Sequence, residues 1–346
     1  MDTITQGLLG AACGQALYAK ALGRRAVLWG AVGGLIPDLD MAVIPLLGPL
    51  AEFRYHRSAT HSLAFGPLVG VVLGYLAYRL AGRRHGTAGA GAVSAWIGLY
   101  VVSLVTHPLL DLFTTYGTQL LWPLSHRRFA LDAVAILDPF YSILLVAALW
   151  MGHAKRERPA LGSRSAWAAL GLSTAYLFYG LLLNQQAEGL AHRQLAREGS
   201  VGAQLRSYPT LLQPWLRRIV VREPAPGEVG VGFLSLLRPG NIGWQRFKPA
   251  QGPLAAALRE TPEGRLFEWF AMGETAARQT ETATGTLVEI EDLRYGYGER
   301  PDEGLWGIRG RFDGERRPLG GVERFTRQPR GVARALGLLW RSTFGP

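Results

Sequence analysis

Long apolar stretches separated by short charged loops fill the first half of the chain, and that alternation stops near Asn184. A helix needs about 20 mainly apolar residues to cross a bilayer. Ala26 to Leu47, Ser62 to Ala81, Ala92 to Phe113 and Val134 to Gly152 meet this requirement, and Ala166 to Asn184 is equally apolar. Ile4 to Ala19 is shorter and Gly-rich and is read as a further helix, giving about five to six in all. Beyond Gln185 the pattern shortens. Gln186 to Leu205 reads as a helix. Arg218 to Val221, Glu228 to Leu237, Thr286 to Glu291 and Gly307 to Phe312 read as strands between Gly/Pro turns. The pattern predicts a polytopic α-helical membrane domain over 1–184, then a small α+β, mainly β, extramembrane domain over 185–346.

Composition sharpens this division. The mean hydropathy of +0.10 averages two unlike halves. Eight acids precede Gln185 (Asp2, Asp38, Asp40, Glu52, Asp111, Asp132, Asp138, Glu157) and the other eighteen of the 26 follow it. A soluble enzyme would not segregate its charge this way. The net charge of +11 comes without a basic run interleaved with aromatics, so no nucleic-acid partner is expected. The single cysteine, Cys13, excludes an intrachain disulfide and a thiolate zinc site. The N-terminus lacks the basic start of a removable signal segment.

Lys and Arg in short loops mark the cytoplasmic side. Lys20, Arg24, Arg25, Arg79, Arg83, Arg84, Lys155, Arg156, Arg158 and Arg164 fall in one set of loops. The alternate set holds Arg54, Arg57, Arg127 and Arg128. The imbalance orients the chain in a bacterial cytoplasmic (inner) membrane as a multi-pass protein. The loops at 48–61 and 114–133, and everything after the last span, then face outward.

On that map the ionisable residues gather at the outward face. Asp38 and Asp40 sit near the outer end of one span, His56 and His61 in the following loop, and His107 and Asp111 at the outer end of a later span. His126 and Asp132 lie in the next outward loop, and Asp138 opens the helix after it. His85 and His153 fall on the inward side beside basic residues and read as solvated. An Asp within a hydrocarbon span costs roughly 2.5–3.5 kcal/mol on insertion scales, which marks it as functional by default. His107 and Asp111, at i and i+4, share one helical face. His61 adds an imidazole, and Asp38 or Asp40 a carboxylate. Nitrogen and oxygen donors without thiolate suit zinc, with manganese or iron as alternatives. Each residue has a plainer reading: a histidine at a helix end is often merely hydrogen-bonded, and Asp38 follows Pro37 as a turn residue does.

Four motifs carry a resemblance. The start Met1-Asp-Thr-Ile-Thr-Gln-Gly-Leu-Leu-Gly10, Pro37-Asp-Leu-Asp40, His56-Arg-Ser-Ala-Thr-His-Ser62 and Thr106-His-Pro-Leu-Leu-Asp111 resemble the YdjM-type family of inner-membrane metal-dependent hydrolases. Glu291-Asp-Leu-Arg-Tyr-Gly296 and Leu305-Trp-Gly307 resemble the extension of its longer members. The family is held to be distantly related to zinc-dependent phospholipase C and P1 nuclease. The resemblance implies metal ligands at Asp38 or Asp40, His61, His107 and Asp111. Many members carry His after the early Thr, where this chain has Gln6, so one or two divalent ions are expected.

The full site expected from the sequence has Asp38, Asp40, His56, His61, His107 and Asp111 around the metal, and Asp40, Asp138 and Arg57 in catalysis. Asp40 or Asp138 is the candidate general base. Arg54, Arg57, Arg127 and Arg128 are candidate phosphate clamps. The expected function is hydrolysis of a lipid or lipid-linked phosphoester at the outer bilayer face, with membrane lipids as partners. The alternatives are an ion-coupled transporter and a non-catalytic, metal-stabilised scaffold.

Overall fold

A computed structural model describes residues 1–82, 90–154, 159–200, 202–223, 227–296, 298, 300–328 and 331–345. The helical N-terminal part carries the apolar spans, and two antiparallel sheets follow in the C-terminal part. Arg83, Arg84, His85, Lys155, Arg156 and Arg158, on which much of the orientation argument rests, lie outside the described residues.

One compact unit comprises Met1–Leu46 and Tyr55–Gly180. Helix α1 (Thr3–Cys13) is capped by Asp2, whose carboxylate accepts from the Thr5 amide at 3.0 Å. It continues through a π turn at Gly14–Tyr18 to Leu22. Helix α2 (Arg25–Leu35) lies so close to α1 that a Cβ on Gly34 would stand 2.4 Å from the Gln6 carbonyl oxygen. Pro37, which has no N–H to continue the ladder, follows. There the axis bends by 42° into Pro37–Leu47, placing Asp38 and Asp40 just past the break. Helices α3 (Phe65–Ala77) and α4 (Ala90–Leu112) come next, and Trp96 and Leu99 of α4 are buried against Ala26 and Trp29 of α2.

Among the described residues, three helical stretches are long and apolar enough to cross a membrane: Phe65–Gly82, Gly91–Leu112 and Leu161–Arg197. The bent pair makes up to four. This is fewer than the sequence pattern gives, for two physical reasons. The stretch read from Val134 forms a helix, α5, only over Pro139–Ala154, because Asp138 caps its start and Pro139 occupies the first helical position. The N-terminal helical run Thr3–Leu22 carries Gln6, Gln15 and Lys20, which lower its apolarity. Conversely, the fifth span and the helix read from Gln186 are one continuous helix, α6 (Pro159–Arg197).

The second unit comprises Leu47–Arg54 and Leu181–Pro346. Strands β1 (Gln204–Pro209), β2 (Leu216–Arg222), β3 (Val229–Ser235) and β4 (Gln245–Phe247) form one antiparallel sheet in chain order. Strands β5 (Thr275–Thr282), β6 (Gly285–Asp292), β7 (Trp306–Phe312) and β8 (Glu323–Thr326) form the other. Between them run α7 (Pro253–Glu260) and α8 (Pro262–Phe270), each started by a proline; Thr261 caps α8 by accepting from the Gly264 amide. Helix α9 (Val332–Phe344) ends the unit. The inserted segment Leu47–Arg54 is packed into this unit's core. Phe53 is buried against Phe267 and Phe270, with ring centroids 5.3 and 4.5 Å away, and Glu52 pairs with Arg324.

Candidate metal centre

Three stretches of the first unit meet at one point. The bend after α2 brings Asp38, the turn before α3 brings His61, and the C-terminal end of α4 brings His107 and Asp111. His61, His107 and Asp111 are fully buried. Asp38 and Asp40 keep 10% and 11% of their side chains exposed, so the cluster has an open edge.

The four inner atoms are His61 Nε2, His107 Nε2, Asp38 Oδ1 and Asp111 Oδ2. The two imidazole nitrogens lie 3.0 Å apart. Asp38 Oδ1 is 3.3 Å from His61 and 3.4 Å from His107; Asp111 Oδ2 is 3.5 and 3.7 Å from them. Ligands about 2.0–2.1 Å from a tetrahedral ion lie about 3.3–3.4 Å from one another. The five separations bracket that figure.

The tautomers make the match chemical as well as geometric. His107 Nδ1 lies 2.7 Å from the Gly34 carbonyl, which only accepts, so Nδ1 carries the hydrogen. His61 Nδ1 lies 2.9 Å from Thr60 Oγ1, which donates its own hydrogen to Asp40 Oδ2 at 3.1 Å, so His61 also donates from Nδ1. Burial pushes the His61 imidazole down to about 4, despite its contact with Asp38, leaving it neutral near pH 7. Both Nε2 lone pairs therefore face each other and two carboxylates, with no hydrogen between them. Asp38 Oδ2 and Asp111 Oδ2 accept no hydrogen bond. Arg57 and the Met1 ammonium offset part of this charge, and the remaining nitrogen and oxygen donors form a set that could hold a divalent cation.

Around this set stands a second layer. Gln6 donates to Asp111 Oδ1 at 3.0 Å and to the His107 carbonyl at 3.2 Å, and the Met1 α-ammonium also contacts Asp111 Oδ1. These donors occupy one carboxylate oxygen and leave Oδ2 turned inward. Sequence reasoning noted Gln6 only as a departure from a motif. Its amide is uncharged, and nothing in the pattern placed it at Asp111.

Other expected site residues are placed differently. Asp40 faces the back of His61: Oδ1 lies 3.0 Å from His56 Nδ1, and Oδ2 accepts from Thr60. It orients ligands instead of joining the four inner atoms. His56 forms a second group with Asp38 and His61, with ligand atoms within 4.8 Å of one another. Arg57 is buried, with backbone φ of 61°; it donates to Thr114 Oγ1 at 2.8 Å, and its Nε lies 3.3 Å from Asp111 Oδ2. It balances the charge of Asp111 instead of reaching outward.

Asp138 stands at the start of α5. It accepts from the Phe140 and Tyr141 amides and from the Tyr176 hydroxyl, at 2.9–3.3 Å. An aspartate before a proline at a helix start is a cap, and Asp138 has that place at the start of α5. Arg128 donates to the Gly117 carbonyl, Arg127 lies over Phe129, and Arg54 belongs to the second unit. His126 and Asp132 are in neither candidate group.

The comparisons with known proteins bear on the same residues. The family model described as YdjM inner membrane protein matches residues 1–187, which include every member of the cluster. The chain belongs to that family. Inner membrane protein YbcI of Escherichia coli is 32% identical over 131 residues, 36% of this chain and 69% of that protein. An uncharacterized protein, YfhP of Bacillus subtilis, is 30% identical over 164 residues, 44% of this chain. The match spans about half the length of the Bacillus protein (47%). No solved structure matches. The chain is thus a member of an inner-membrane family, with apolar spans and buried His/Asp groups able to hold a metal ion.

Proposed function

We propose that the protein is a membrane-bound, metal-dependent hydrolase of the phosphoesterase type, acting on a lipid or lipid-linked phosphoester at the outer face of the bilayer. The observation that carries this reading is the convergence of His61 and His107 Nε2 with a carboxylate oxygen each of Asp38 and Asp111, with an open edge beside Asp38 and Asp40. Zinc fits the set best, with manganese or iron as alternatives. A divalent ion there supplies Lewis acidity toward a phosphoryl oxygen and acidifies water.

The chain's own groups divide the remaining work. The Gly34 carbonyl and the Thr60–Asp40 pair fix the rings of His107 and His61. Gln6 and Met1 hold Asp111 so that Oδ2 faces the centre. Asp40 and His56, partly exposed at the open edge, form the pair able to take a proton from water entering there. Arg57 keeps positive charge next to the reacting region. The second unit lies outside the cytoplasm in this reading, supported by the excess of Lys and Arg in the inward loops.

The test is turnover by detergent-solubilised protein on a panel of phosphomonoesters, phosphodiesters and lipid-linked phosphates with added zinc or manganese. Metal-dependent hydrolysis of a member is expected. No turnover, together with metal-dependent ion flux in sealed vesicles, replaces the hydrolase with a transporter.

A further inference from the structure

The last 23 residues, Arg324–Pro346, carry five arginines and no acid. Within them α9 packs one side on its own unit: Thr343 is buried, and its carbonyl accepts from Ser235 Oγ at 2.8 Å. Beside that packed side runs a second stripe at i, i+4 and i+8, formed by Leu336, Trp340 and Phe344. These three are 45%, 65% and 36% exposed, and the Trp340 and Phe344 ring centroids lie 4.5 Å apart with the planes tilted by 44°. Next around the helix, and also exposed, stand Arg334 and Arg341, seven residues apart. A water-facing helix has no use for a tryptophan two-thirds exposed in an apolar row. A helix at a lipid surface does: the row enters the acyl boundary, Trp sits at headgroup depth, and arginine pairs with phosphate.

From this we infer that α9 is an interfacial helix, docking through Leu336, Trp340 and Phe344 on a bilayer rich in anionic headgroups. Two features single out lipid as the occupant. The helix is cationic and free of acids, the complement of an anionic leaflet. The chain is also anchored in a membrane by its own spans, so a bilayer is always within reach. An anionic surface contributes about 1 kcal/mol for each nearby Arg. The docking is independent of what the metal centre does.

The test uses full-length protein in nanodiscs of phosphatidylcholine, with or without phosphatidylglycerol. Hydrogen exchange over residues 332–344 is expected to be about tenfold or more slower when phosphatidylglycerol is present. The Arg334→Glu/Arg341→Glu double variant should lose that difference while β2 and β3 exchange as before. Emission from Trp340, taken as wild type minus Trp340→Phe, should be quenched by lipids brominated high in the acyl chain. Equal exchange in the two lipids, or unquenched Trp340 emission, overturns the inference. So does protection that grows with protein concentration in detergent, which would make a second copy the occupant.

Discussion

His61 and His107 face each other Nε2 to Nε2 at 3.0 Å, each ring held from behind by a hydrogen bond at Nδ1. Two lone pairs at that distance repel unless a cation lies between them. Purified protein is therefore expected to carry about one or two divalent ions, and His61→Ala and His107→Ala to lose at least one. Elemental analysis after dialysis reads this directly. Wild-type metal content in both variants would remove the centre.

Asp40 touches the ligands, not the inner point, so its loss should loosen metal without abolishing it. Asp40→Ala is expected to weaken binding about 10–100-fold, as removal of an outer hydrogen-bond partner typically does. Competition against a chelator of known affinity measures it. Gln6→Ala should act in the same direction, because Asp111 Oδ1 loses a donor.

Asp111→Asn keeps the side chain's size and removes a charge from the centre. Hydrolysis should fall by about two orders of magnitude or more, with the protein still in the membrane fraction. Unchanged turnover would mean that the chemistry occurs elsewhere.

Orientation has its own check. A reporter active only in the cytoplasm, fused after Pro346, should stay silent. A strong signal would invert the map derived from the basic loops.

Phe53→Ala empties a buried position between Phe267 and Phe270, a change that costs about 3–5 kcal/mol in a packed core. Faster hydrogen exchange in Pro262–Phe270 is expected. Unaltered exchange would show that the aromatic contact contributes little.

The sequence exposed the parts of this site that violate their surroundings. Acids and histidines inside apolar stretches stand out because hydrocarbon penalises them, and the four-residue spacing of His107 and Asp111 gives direction as well. Asp138 violates its surroundings equally, yet is a cap. Charge in an apolar stretch does not distinguish a ligand from a helix start, and only Pro139 hinted at the difference. Strand β5, Thr-Ala-Ala-Arg-Gln-Thr-Glu-Thr, was missed because its exposed half is polar throughout and hides the alternation. The place of Phe53 was illegible for another reason: its partners lie more than two hundred positions away, and local pattern carries no trace of them.

That separation sets an order of events during synthesis. Phe53 leaves the ribosome about 210 residues before Phe267, some 10–40 s earlier at roughly 5–20 residues per second. The spans Phe65–Gly82, Gly91–Leu112 and Leu161–Arg197 are all made in that interval. The segment Leu47–Arg54, two residues ahead of His56, must wait without its covering aromatics while the membrane unit inserts. It can be fastened only when α8 and β8 arrive. The nascent chain thus carries an uncovered hydrophobic segment just ahead of His56 for most of its elongation.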